Sequence, residues 1–133
     1  MENIEIVRDA LAEFQNGNPA GYMAIVDDRV KASMWSGFIH DRPIQNKVDF
    51  QAAMDRVASV IELSKFEPRD WASTGDIVYF TVGMEGRFKK PDGTWSKPIA
   101  FEGTVRKKMR NGKIVEKHHM IDTNLINQQI TSS

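Results

Sequence analysis

A chain of 133 residues in which 18 Lys and Arg balance 18 Asp and Glu suits one domain spanning 1–133, and its zero net charge removes any global field for nucleic acid or an anionic membrane. Cysteine is absent, which excludes disulfides, thiolate chemistry and cysteine-based zinc sites and fits a cytoplasmic protein. Apolar residues make up 41% and charged residues 27%, an ordinary globular mix; no apolar run nears the ~20 residues that span a bilayer, and the N-terminus lacks the basic-then-apolar order of a signal peptide.

Ile4, Val7, Leu11 and Phe14 recur at helical spacing with charged residues between them, which predicts an amphipathic first helix ending at Asn16-Gly17. Asn18-Pro19 starts a second helix, with Asn as N-cap and Pro at its first position. Val30 to Trp35 reads as a short strand, and Ser36 to Arg42 as a polar loop carrying His40. A third helix follows Asn46, with Val48, Phe50, Met54, Val57, Ile61 and Leu63 as its apolar residues. From Phe66 the pattern turns to β: a short strand to Trp71, a turn at Ser73 to Asp76, and a strand from Ile77 to Phe88 rich in Val, Tyr, Phe and Thr. Pro91-Asp92-Gly93 makes a turn. A long strand then runs from Trp95 to Met109, and Asn111-Gly112 is a two-residue hairpin signal leading into the last strand. Helices first and an antiparallel meander after them predict an α+β fold with helices on one face of a curved sheet.

That turn pairs Arg110 with Lys113 and, in a regular hairpin, fixes the register beyond it. Asp122 then lies opposite Phe101, Met120 opposite Gly103 and His118 opposite Val105, all on the more apolar face, and His119 points outward. A bulge would reverse part of this. An inward Asp122 would be desolvated, which raises a carboxylate's pKa and suits a general base. His118 and Asp122 stand four strand positions apart, roughly 13 Å, so a partner for Asp122 has to come from His40, Trp35, Tyr22 or Tyr79. No phosphate loop, dinucleotide fingerprint or serine elbow is present.

These residues, taken together, resemble the nuclear transport factor 2-like superfamily, nearest to SnoaL-like and ketosteroid-isomerase-related domains. The resemblance rests on the opening helix, the Asn16-Gly17-Asn18-Pro19 break, the strand to Trp35, the turn Ile44 to Phe50, and above all the closing segment from Gly112-Lys113-Ile114 through Asp122-Thr123 to Gln128-Gln129. The family usually has Gly where this chain has Asn46, the residue next most tolerant of positive φ. The resemblance implies a cone-shaped α+β barrel, a strongly curved antiparallel sheet wrapped around three N-terminal helices, with a deep apolar pocket. It implies a cofactor-independent isomerase, aldol cyclase or dehydratase acting on a hydrophobic, carbonyl-bearing small molecule, and it implies a homodimer.

On that reading Asp122 is the general base, with His40 or Tyr22 facing the developing oxyanion and Trp35, Phe101, His118 and Met120 lining the pocket. No metal is expected, because His118 and His119 point to opposite faces of a strand. Asp122-Thr123-Asn124 before Leu125 also reads as a helix N-cap, and Arg106 to Arg110 as a solvated charged edge. A non-catalytic small-molecule-binding or dimerisation domain of the same fold is the alternative.

Overall fold

The structure, a computed structural model, describes residues 2–34 and 43–132. Three helices and five strands precede a short final helix: α1 (Asn3–Gln15), α2 (Pro19–Met23), β1 (Val26–Met34), α3 (Lys47–Val60), β2 (Ile61–Thr74), β3 (Ile77–Phe88), β4 (Ile99–Arg110), β5 (Lys113–Ile121) and α4 (Thr123–Ser132). The sheet order is β1-β5-β4-β3-β2. The three pairings from β2 to β5 are antiparallel, as the hairpin turns dictate. The first is parallel, β1 against β5, which makes the sheet mixed and leaves it open rather than closed into a barrel.

Local chemistry accounts for the boundaries. Asn46 accepts a hydrogen bond from the Asp49 amide at 2.8 Å, so it is the N-cap of α3. Its φ is −160°, extended backbone, so its value here is capping rather than tolerance of positive φ. Helix α3 ends at Val60, and Ile61 and Leu63 belong to β2. Val48, read from the sequence as apolar-face, is 79% exposed. Asn111 and Gly112 both take positive φ, 53° and 76°, the mark of a type I′ hairpin turn.

Bulges between Leu63 and Lys65 and between Arg69 and Ala72 interrupt the β2–β3 ladder. Bulges bend a strand and increase its twist, which curves the sheet over the helices. Gly86 sits opposite Leu63 at the first of these, where a Cβ would stand 2.7 Å from the Glu62 carbonyl oxygen; only glycine admits so close a crossing. The core lies between the concave face and the helices, with Val7, Phe50, Val78, Val82, Phe88, Met109 and Ile114 buried in it. Ile126 and Ile130 of α4 join that core.

A third bulge matters most for function. Arg110 pairs with Lys113 and Met109 with Ile114, as a regular hairpin requires, but Lys108 then pairs with Glu116. Val115 is the extra residue. Beyond it the register is offset by one, so Lys107 faces Lys117, Val105 faces His119 and Gly103 faces Ile121.

Candidate functional site

The bulge reverses which face of β5 looks inward, because side chains alternate along a strand. Lys117 and His119 point to the concave side and His118 to the convex side. The register expected from the turn alone, with His118 in and His119 out, is therefore corrected. His118 Nδ1 lies 2.8 Å from Ser33 Oγ of β1, the residue it pairs with. Met120 is 54% exposed. Phe101 packs on Phe88, ring centroids 5.5 Å apart, and is not among the cavity residues. Trp35 and His40 lie outside the described residues.

Asp122 stands just past the end of β5, exposed. One carboxylate oxygen accepts the Leu125 amide at 3.0 Å, and its carbonyl accepts the Ile126 amide at 3.2 Å. It caps α4, and it does not line the cavity described next.

Between α1, α3 and the concave face lies a cavity of about 100 Å³. Leu11 and Phe14 of α1, Met54 and Val57 of α3, Phe66 of β2 and Phe80 of β3 supply its apolar wall. Leu63 also lines it and is 39% exposed, so the cavity reaches the surface beside β2. Four polar side chains enter this wall: Tyr22, Lys107, Lys117 and His119. Of these, sequence reasoning had named only Tyr22 for a pocket. Among the described residues no Asp or Glu lines it.

Each of the four is perturbed by its surroundings. Lys107 is 1% exposed and Lys117 8%. Lys107 Nζ donates to Tyr22 Oη at 2.5 Å and lies over the Tyr22 and Phe80 rings at 4.5 and 5.6 Å. Lys117 Nζ lies 5.4 Å over the Phe50 ring. Burial pushes the Lys107 ammonium well below the ordinary lysine range, and the Lys117 charge adds to this. Burial lowers Lys117 to about 8. Burial also lowers His119 well below 6.5, with smaller contributions from Lys117 and Lys107, so the imidazole is neutral at pH 7. Burial raises the Tyr22 phenol, which stays protonated. Because Lys107 donates to the Tyr22 oxygen, the phenol's own proton is available to another acceptor.

The local sequence explains why these side chains are held so closely. Gly103 faces the same side as His119, and a Cβ there would meet His119 Nε2 at 2.6 Å, so glycine leaves room for the ring. Ala32 pairs with Lys117, a small neighbour beside a long side chain. Chemically, the four groups offer two amines of lowered basicity, a neutral imidazole and a phenol donor in a low-dielectric wall. That set can move protons and stabilise an oxyanion. Among the described residues no group of three His, Asp or Glu stands together as a metal site, and no helix is long and apolar enough to cross a membrane.

Comparisons with known proteins agree with this architecture. Solved structures resemble the chain over nearly its whole length. An NTF2-like protein of unknown function from Burkholderia pseudomallei is 18% identical, covering 98% of this chain and 99% of that one at a TM-score of 0.78. An NTF2-like protein from Burkholderia thailandensis is 21% identical, covering 97% of each chain at a TM-score of 0.78. TerC, crystallised with polyporic acid, is 18% identical, covering 97% and 98% at a TM-score of 0.76. No curated protein matches the sequence. The profile of the SnoaL-like domain matches residues 7–117, the span from the first core residue of α1 to the inward lysine of β5, and the chain belongs to that family and shares the fold of the NTF2-like proteins.

Proposed function

We propose that this SnoaL-like chain is a small-molecule enzyme that moves a proton at the carbon next to a carbonyl, without a cofactor, and that the groups inside the cavity perform the step. The supporting observation is that Tyr22, Lys107, Lys117 and His119 converge, largely buried, on one apolar cavity, while Asp122 caps a helix outside it. The carbonyl oxygen meets the Tyr22 hydroxyl, held in place by Lys107. The base comes from the Lys117 and His119 side, where an amine lowered to about 8 and a neutral imidazole are both competent near neutral pH. Charge developing on the oxygen is met by preorganised donors in a site of low dielectric. Isomerisation, aldol cyclisation and dehydration all begin with such a step. The cavity is somewhat smaller than the ~150 Å³ that accommodates benzene, so the reading is a small ketone or aldehyde, or the carbonyl end of a larger apolar molecule, such as cyclohexanone, whose far side extends past Leu63.

Deuterium exchange into the α positions of cyclohexanone in D2O, followed by proton NMR, tests this. The wild type should exceed buffer, and Tyr22→Phe should reduce the enzymatic rate roughly a hundredfold, the loss typical of one oxyanion donor. Exchange no faster than buffer, with cyclohexanone signals still broadened by binding, would leave the non-catalytic small-molecule-binding domain as the reading. The homodimer implied by the family belongs with this proposal, and light scattering should return twice 15.1 kDa.

A further inference from the structure

We infer that Lys117 is a covalent catalyst: its amine adds to the carbonyl carbon of a small ketone or aldehyde in the cavity and forms an imine. The inference rests on the proposed carbonyl chemistry of the same cavity and specifies how it is done. Three observations of geometry carry it. Lys117 is buried in the cavity wall, yet its Nζ makes no hydrogen bond among the described residues and lies over the face of Phe50. Lys107, its partner directly across the β4–β5 ladder, is by contrast engaged with Tyr22. Among the described residues no carboxylate lines the cavity to hold either amine as an ammonium ion. Two cations directly opposite each other in an apolar wall repel and are poorly solvated, so the uncommitted amine gives up its proton more readily than an exposed lysine, and the neutral amine is a nucleophile.

The lowered basicity of Lys117 agrees with this placement. At pH 7 it leaves roughly two orders of magnitude more free amine than an ordinary lysine carries.

The step balances as follows. The Lys117 nitrogen pair forms a bond to the carbonyl carbon, and the carbonyl π pair moves to oxygen, which takes the proton of the Tyr22 hydroxyl. The nitrogen loses a proton to the Tyr22 phenolate, which gives a neutral carbinolamine and restores the phenol. The Tyr22 hydroxyl then protonates the carbinolamine hydroxyl, water leaves, and the nitrogen pair closes the C=N bond as an iminium. The neutral His119 imidazole, two residues along the same face of β5, then takes the α proton. The C–H pair becomes the enamine double bond, and the C=N pair returns to nitrogen. Reprotonation and hydrolysis by one water restore the ketone and the free amine.

The test is reductive trapping of the wild-type protein with cyclohexanone and sodium cyanoborohydride at pH 7, with labelled peptides mapped by mass spectrometry. One cyclohexyl group on Lys117 is expected, at least roughly tenfold above any exposed lysine. Lys117→Arg, which keeps a cation but cannot form an imine, should abolish that label while circular dichroism remains native. Labelling spread over surface lysines, or placed on Lys107, would overturn the inference. So would α-deuterium exchange with no trapped adduct, although the acid–base reading of the cavity would then stand. A trapped Lys117 adduct without exchange would support the imine and remove proton transfer as the function.

Discussion

On the convex face of the sheet, Arg69 bonds to Glu102, Arg87 to Glu62 at 2.7 Å, and Arg106 lies 3.7 Å from Glu116. On the concave face of the same strands, Lys107 and Lys117 are buried with a phenol and aromatic rings for company and no carboxylate among the described lining residues. Exposed cations with acidic neighbours keep their charge at little cost and add little, about 0–1 kcal/mol per pair. Buried amines without acidic neighbours lose stability by being protonated. A fold that wanted only a core would place apolar residues at 107 and 117, as it does at Val105, Met109 and Ile114. The inner pair costs stability and supplies reactivity, and the outer pairs do neither to a comparable degree.

The largest expected effect comes from removing one inner cation. Lys117 titrates at about 8 in the folded chain and at 10.5 as an ordinary lysine. Between those values the unfolded chain binds the extra proton and the folded chain does not, so stability rises with pH through this window. Below about pH 8 both states are protonated and the full penalty, on the order of 3 kcal/mol, is present. Lys117→Met should therefore raise the melting temperature at pH 7 by several degrees, and its stability should climb less steeply than that of the wild type between pH 8 and 9.5. Equal slopes in urea melts of the two proteins would mean that Lys117 carries no such penalty.

A smaller effect is expected where Asp122 caps α4. Asp122→Ala should cost about 1 kcal/mol in chemical denaturation, the usual loss of an N-cap, with ketone exchange at the wild-type rate. A collapse of exchange in a folded Asp122→Ala protein would move the chemistry back to the end of β5. The smallest effect belongs to the convex face. Glu62→Gln, which breaks the pair with Arg87, should change stability by less than ~1 kcal/mol, with even that difference fading in high salt.

The sequence disclosed the fold wherever local chemistry decides. A helix starting just after Asn46, Asn111-Gly112 turning the last hairpin and the bounds of β3 all follow from residues that do one job well. The site was less legible because it hinges on Val115. A β-branched residue in a strand carries no sign that it will bulge, yet the bulge decides that His119 and Lys117 face the cavity and His118 faces Ser33. Lysine at alternate strand positions also reads as a solvated face, which hid Lys107. The available signal was its phase: Gly103, Val105, Lys107 and Met109 form one inward row, in which a lysine is the exception that asks for an explanation.

Burial lowers the basicity of the two inward amines, Lys107 and Lys117, and holds them for chemistry. Titration of 13C-labelled lysines by NMR, following the Cε resonance of each, reads it directly. Two resonances should titrate well below the rest, the Lys117 signal near 8 and lost in Lys117→Met. All lysine resonances titrating together near 10.5 would contradict it.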